Sequence, residues 1–302
     1  MDQKWDGRLL SSRWSDDQLS QRGCFAWLSE WSCAPTHTVA RVMELYEQLL
    51  PMRVYAAWRP STSDRKNIMC RMCGKAPECV AHVLGGCSSL AQTKYLERHN
   101  AALKVLFFEI LRDLDLNETV PPWFSRTEPQ PMYESIHAQA FWDVQVYAEH
   151  TVVSANRVDA LIVDHKEKRV LLVEMSCPWV DNRVRKEAEK AKKTKKYGPL
   201  PWELSRRYRG YRIVQLSVII DVQGGWSQDL EAEMKKIFGL HSLDILKRMQ
   251  KAVLSGSLNI AGMFKVTTKR TLDINPRQSS FTQEGTLILR TFLFIVITYI
   301  RA

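Results

Sequence analysis

The sequence predicts a mixed α/β fold, and three observations predict it. Two short β-branched and aliphatic runs, residues 158–163 and 170–173, flank the polar stretch 164–169, which is the pattern of a β-hairpin. A third β-rich run covers residues 211–222. Around these lie four stretches with apolar residues at helical spacing: 38–50, 92–116, 230–238 and 242–254.

The elements follow in order. Residues 1–34 are rich in Trp, Ser and charge without a period, and read as peripheral or disordered. The helix over 38–50 is stopped by Pro51. Residues 61–67 form a polar loop. Over 92–116 the apolar stripe is Leu96, Leu103, Leu106, Phe107, Ile110, Leu111 and Leu114, a core-facing pattern. The Pro-rich stretch 119–131 reads as a linker between a helical segment, 35–118, and an α/β domain, 132–240. A basic helix runs from Arg183 to Tyr197 and is stopped by Gly198, Pro199 and Pro201. After the strand, Gly224 and Gly225 turn the chain into the last two helices, and 241–270 is a C-terminal extension.

Residues 271–302 form a tail with an apolar run over 291–300. A membrane-spanning helix needs about 20 apolar residues, so this run is short. It reads as a terminal buried strand or a run-on peptide ahead of a marginal tail anchor, and a membrane role is not expected. No internal repeat and no phosphate-binding loop of the G-x-x-x-x-G-K-[ST] type is present.

The formal net charge of +10 points to an anionic partner. Nucleic acid is the first candidate and a membrane surface the second, against the plain alternative of a basic soluble protein. Seven cysteines is an odd number, and the start of the chain is polar with no signal-peptide pattern. A reducing intracellular compartment is expected, where clustered cysteines bind metal more often than they form disulfides.

Cys70, Cys73, His82 and Cys87 have the spacing C-x2-C-x8-H-x4-C. Thiolates and an imidazole suit Zn²⁺, and four protein ligands leave no open position, so the expected role is structural. Gly74, Gly85 and Gly86 allow tight turns. Cys79 is a substitute ligand or a free thiol, and unligated buried cysteines are the alternative for the whole group.

The hairpin carries an acid at each outer end, Asp159 and Glu174. With its tip at Lys166 and Glu167, Val163 faces Val170, Leu161 faces Leu172, and Asp159 faces Glu174. Opposed side chains have Cβ atoms about 4.5–5.5 Å apart. Two carboxylates that close repel unless a cation lies between them, and Mg²⁺ takes one or two carboxylates plus waters and phosphate oxygens. The expectation is a metal-dependent phosphodiester cleavage site, and the plain alternative is a solvated strand pair with two surface acids.

The position two after Glu174, where a lysine commonly completes such a site, is Ser176. Residues 183–196 hold eight Lys or Arg, so the positive charge can come from there. Lys193 and Lys196, three apart on one helix face, are candidates to polarise the attacking water or stabilise the phosphate charge. Arg183, Arg185, Lys186, Lys190, Arg206, Arg207 and Arg209 are candidate phosphate contacts. The alternative for the helix is a solvated charged face. Asp143 and Glu149 are weaker acid candidates.

Residues 70–78 with His82 and Cys87 resemble the zinc-binding segment that follows the reverse transcriptase of site-specific non-LTR retrotransposons. Asn156-Arg157-Val158-Asp159, Glu174-Met175-Ser176-Cys177-Pro178 and Lys195-Lys196-Tyr197 resemble the restriction-like endonuclease domain of those polyproteins. The resemblance covers roughly residues 35–270. It implies a PD-(D/E)xK core behind a helical zinc-binding segment, and Mg²⁺-dependent nicking of target DNA to prime reverse transcription. It implies Asp159 and Glu174 as Mg²⁺ ligands and Lys193 or Lys196 as the displaced catalytic lysine. DNA, the element's RNA and a nuclear location are implied with it. Val158 stands where a proline is usual. The chain is too short for a polymerase and has no Tyr-x-Asp-Asp signature, so it resembles the C-terminal piece of such an element. A catalytically inactive nucleic-acid-binding remnant is the rival expectation.

Overall fold

The computed structural model describes residues 13, 15–31, 34–57, 67–147, 157–188 and 199–272. Ahead of the sheet lie helices α1 (Gln21–Cys24), α2 (Ala26–Glu30), α3 (Thr36–Tyr46), α4 (Arg53–Ala57), α5 (Val80–Gly85) and α6 (Leu96–Asp113). The strands are β1 (Met132–Glu134), β2 (Ala138–Gln145), β3 (Arg157–Asp164), β4 (Arg169–Ser176) and β5 (Arg212–Ile219). Helix α7 (Pro199–Arg207) precedes β5, and α8 (Gln228–Phe238) and α9 (Ser242–Leu272) follow it.

The five strands make one sheet in sequence order. The first four form an antiparallel meander, and β5 runs parallel to β4. A parallel neighbour needs a long crossover, and the basic stretch of the sequence lies in it. The hairpin pairs Leu161 with Leu172 and Val163 with Val170, the register expected from the sequence.

Both faces of this hairpin are covered, which is why its apolar runs are nearly continuous. Leu161, Val163, Val170 and Leu172 pack with Leu200 and Leu204 of α7. Ala160, Ile162, Leu171 and Val173 pack on the other face with α6, α8 and α9.

Two expectations about organisation change. Leu103, Leu106, Phe107, Ile110 and Leu111 of α6 share one core with the sheet and with Leu246, Met249 and Val253 of α9. The Pro-rich stretch 119–131 therefore straps a common core: Val120 and Trp123 pack on it, and Lys104 Nζ donates to the Thr127 carbonyl at 3.2 Å. The segment expected to be peripheral also packs. Leu19, Cys24, Phe25 and Trp27 are buried with Val42, Tyr46 and Leu254, because tryptophans without a period can still fill a gap between longer elements.

Boundaries move for local reasons. Helix α3 ends ahead of Pro51, where Gln48 takes φ +57°. The stretch expected over 92–116 opens with a π-helical turn, Ala91–Tyr95. Helix α9 continues past residue 254 because Ile260, Ala261 and Phe264 are buried against the cysteine segment. The tail after residue 272 and its apolar run lie outside the described residues. Among the described residues no helix is long and apolar enough to cross a membrane.

Candidate metal centre and acid pair

Cys70, Cys73, His82 and Cys87 offer four ligand atoms that all lie within 4.8 Å of one another. Cys70 Sγ and Cys87 Sγ are 3.9 Å apart, and Cys73 Sγ lies 3.3 Å from His82 Nε2. A tetrahedral Zn²⁺ with Zn–S bonds near 2.3 Å separates two sulfurs by about 3.8 Å, so the donor set fits that ion. This Cys3His cluster could hold a metal such as zinc.

The local chain explains the convergence. Met69 and Pro77 form an antiparallel bridge, and the Cys70 amide donates to the Ala76 carbonyl at 2.7 Å. Between them the Gly74 amide donates to the Cys70 carbonyl at 2.8 Å, and the Lys75 amide donates to Cys73 Sγ at 3.4 Å. The Lys75 amide holds the Cys73 thiol below its ordinary range, which favours the ligating thiolate. Burial pushes Cys87 up to about 11, so metal binding there must displace a proton.

Gly74 has φ +65°, and a Cβ built on it meets nothing within 4 Å. Gly74→Ala should therefore cost only backbone strain, about 1 kcal/mol, with zinc content unchanged. Urea unfolding with metal analysis checks both halves of this expectation.

Cys79 is not in the cluster. It is the N-cap of α5, and its Sγ accepts the His82 amide at 3.4 Å.

Buried Glu78 braces the same loop. It accepts the Arg71 amide at 3.0 Å, Arg71 Nε at 2.8 Å, Arg71 Nη2 at 2.5 Å and the Arg53 amide at 3.2 Å. Burial alone would raise its carboxyl, but the Arg71 hydrogen bonds and charge and the Arg53 amide hold it below the usual carboxylate range. A depressed carboxylate stabilises the fold above the unfolded-state pKa and loses that contribution as pH falls through its folded value. Glu78→Gln should cost about 2 kcal/mol near pH 7. The gap from wild type should close as pH drops below the carboxylate range. Unfolding midpoints of both proteins across that range check it, since any effect of ligand protonation is common to both.

The acid pair lies at one end of the sheet. The β3–β4 ladder ends at Ala160 opposite Val173, and the next residues outward are Asp159 and Glu174. Asp159 Oδ2 accepts the Met175 amide at 2.6 Å and lies 3.2 Å from His99 Nε2. The strict alternation that would put both acids on the α7 face is reset here. Val158 packs with Leu161 on the α7 face, yet Ala160 packs on the α6 face. On the neighbouring strand the same reset separates Trp142 from Val144, across Asp143 at φ +49°. Asp143 lies between the pairs Trp142–Ala160 and Val144–Val158, level with Asp159. That reset lets the Asp159 carboxylate reach α6. Glu174 keeps the parity of Val170 and Leu172, the α7 face, and is partly buried, so the two acids expected to share one face point to different faces of the hairpin.

Asp143 is taken up by an exposed ion pair with Arg157 at 2.5 Å. Glu149, Lys190, Lys193 and Lys196 lie outside the described residues.

The candidate phosphate contacts divide. Arg183 is buried, with its guanidinium on Asp16 and Glu187, which leaves it no open face for a phosphate. The sequence could not reveal this, because Asp16 is 167 residues away. Arg185, Arg206, Arg207 and Arg209 are exposed, and Lys186 is half-buried. Arg206 lies 4.9 Å over the Trp202 ring, and Arg207 Nη2 donates to the Tyr147 carbonyl at 2.8 Å.

Sequence reasoning missed His99 and Arg98. The stripe over 92–116 ranked only apolar positions, and nothing in the spacing ties a polar helix residue to strands 60 or more positions on. Arg98 is buried and donates to the Leu84 carbonyl at 2.9 Å, the Cys177 carbonyl at 3.4 Å and Ser257 Oγ at 3.2 Å.

No family model matches the chain, and no curated protein matches it either. What the fold and site define is a mixed α/β protein with a five-stranded sheet and a Cys3His cluster able to bind a metal such as zinc.

Proposed function

We propose that this chain is a divalent-metal-dependent DNA endonuclease of retrotransposon origin, with a PD-(D/E)xK-type core and a structural zinc site. The observation that carries the reading is the position of Asp159 and Glu174. Each lies one residue beyond the last pair of the β3–β4 ladder, Ala160–Val173, and Glu174 lies toward the carboxyl end of the parallel β4–β5 pair. In open α/β sheets ligands bind outside the carboxyl ends of the strands. Exposed Arg185, Arg206, Arg207 and Arg209 supply cations to track phosphates of DNA or of the element's RNA.

Mg²⁺ takes one or two protein carboxylates and keeps several waters, so it is the ion these acids suit. When bound, that ion supplies a polarised water and charge neutralisation at the phosphate. Asp159 and Glu174 would hold it. Lys193 or Lys196 would assist the water or the developing phosphate charge, and a nuclear location follows from a chromosomal target.

Nicking of supercoiled plasmid in Mg²⁺ or Mn²⁺, absent in EDTA and lost in both Asp159→Ala and Glu174→Ala, is the expected result. Metal-dependent nicking that survives both substitutions sinks the reading. The second reading is a nucleic-acid-binding remnant without catalysis. In its favour, among the described residues only the Cys3His cluster gathers three or more His, Cys, Asp or Glu ligands. DNA binding with no nicking by the wild-type chain under any divalent ion selects it.

A further inference from the structure

We propose that His99 is a positioning residue of the acid centre, orienting the Asp159 carboxylate for a divalent cation. The proposal rests on the reading of Asp159 as a metal ligand.

The hydrogen-bond geometry carries it. His99 Nε2 lies 3.2 Å from Asp159 Oδ2 and 3.2 Å from the Met175 carbonyl oxygen. A carboxylate and a carbonyl oxygen only accept, so Nε2 bears the hydrogen and shares it between them. Asp159 Oδ2 also accepts the Met175 amide at 2.6 Å. One carboxylate oxygen thus takes two donors from two elements, a strand backbone and a helix side chain. Two donors arriving from different directions fix the carboxylate plane as well as its position. Ligating carboxylates are commonly held in this way by hydrogen-bonding partners behind them.

Nδ1 lies 2.9 Å from the Asn100 side-chain oxygen, which also only accepts, so Nδ1 carries a hydrogen as well and the ring is the cation paired with Asp159. The preceding residue, Arg98, is clamped to the carbonyls of Leu84 and Cys177. Cys177 directly follows β4, the strand that carries Glu174. One turn of α6 therefore holds the ends of both acid-bearing strands, at the point where their own ladder stops.

A merely structural staple would affect stability without singling out the metal, so the test separates the two. Zinc-loaded wild type, His99→Ala, His99→Gln and Asp159→Ala are titrated with Mn²⁺, and bound ion is read from loss of the free-Mn²⁺ electron paramagnetic resonance signal. Urea midpoints and zinc content are measured on the same samples. His99→Ala should bind Mn²⁺ about 10- to 100-fold more weakly, with zinc content unchanged. His99→Gln, whose amide nitrogen can stand near the Nε2 position, should recover most of the affinity.

Unchanged Mn²⁺ affinity in His99→Ala overturns the proposal. So does a loss in both variants that follows their loss of stability with no recovery in His99→Gln. If wild type takes no Mn²⁺, or Asp159→Ala takes it undiminished, the acid-centre reading itself falls and this proposal falls with it.

Discussion

Replacing Cys73 with serine should abolish zinc binding and cost on the order of 5 kcal/mol of stability, the scale of a lost structural metal. Apparent zinc affinities in small zinc-dependent domains are larger, about 10–16 kcal/mol, but there the metal organises the whole fold. Here the cluster is one part of a shared core. Cys70 and Cys87 are buried with Leu84, Trp179, Val222, Ile260 and Phe264. An open cluster would loosen α5 against Trp179 and α9 while the sheet and α6 stay packed. The damage should spread toward the acid pair along a specific route. The Tyr95 hydroxyl accepts the Cys87 amide at 2.9 Å and donates to the Val83 carbonyl at 2.8 Å. Arg98 lies over the Tyr95 ring and reaches the Cys177 carbonyl. Cys79→Ser is the control. Serine is a good N-cap, so that protein should keep its zinc and its stability. Metal analysis with urea unfolding reads both. Zinc retained in Cys73→Ser, or lost in Cys79→Ser, would put the ligand set wrong.

The sequence carried those parts of the fold that depend on neighbours in the chain. The hairpin register was legible because two apolar runs and a polar turn admit few alignments, and a slip of one residue would turn every side chain over. The cysteine cluster was legible because its four ligands lie within 18 residues and its turns are marked by glycines. Three things were hidden because they arise from distant packing. The reset at Asp159 depends on its register opposite Asp143, and neither residue type announces a kink. His99 and Arg98 sit on a helix whose apolar stripe explained it fully without them. Arg183 read as one more cation of a basic run until Asp16 and Glu187 were seen to enclose it. Local periodicity reports which face of an element is buried; it is silent about which polar side chain a distant strand will bring alongside.

The same limit explains the N-terminal segment and yields the second large expectation. Asp221→Asn should cost about 3–5 kcal/mol, the range for breaking a buried ion pair from one side. Arg13 Nη1 donates to Asp221 Oδ2 at 3.0 Å, with both side chains almost wholly buried. Burial alone would depress the Arg13 guanidinium, and the Asp221 charge more than reverses this, so arginine stays charged. The pair sits in a tight loop. Asp221 Oδ1 accepts the amides of Gln223 at 2.9 Å and Gly225 at 3.0 Å, and a Cβ on Gly225 would lie 2.1 Å from Arg13 Nη2. Asparagine can keep the two amide bonds to the loop while removing the charge. The loss then measures the stranded guanidinium, whose Nε and Nη2 already lack hydrogen-bond partners. Arg13→Met alone strands the carboxylate instead. The double variant removes both charges and should be less destabilised than the sum of the two, since a buried pair replaced as a unit is often neutral. Urea midpoints at constant m-value read the cycle. A cost below about 1 kcal/mol for Asp221→Asn is what an exposed pair gives. That outcome would mean that residues 13–31 do not dock on the 221–227 loop. The contacts around the pair argue otherwise: Leu19 bridges Ser227, Ser20 Oγ donates to Glu231 at 2.6 Å, and Gln250 Nε2 donates to the Gly23 and Cys24 carbonyls at 3.0 and 3.1 Å. A charge pair with so much packing around it holds the first described segment of the chain onto the loop between β5 and α8.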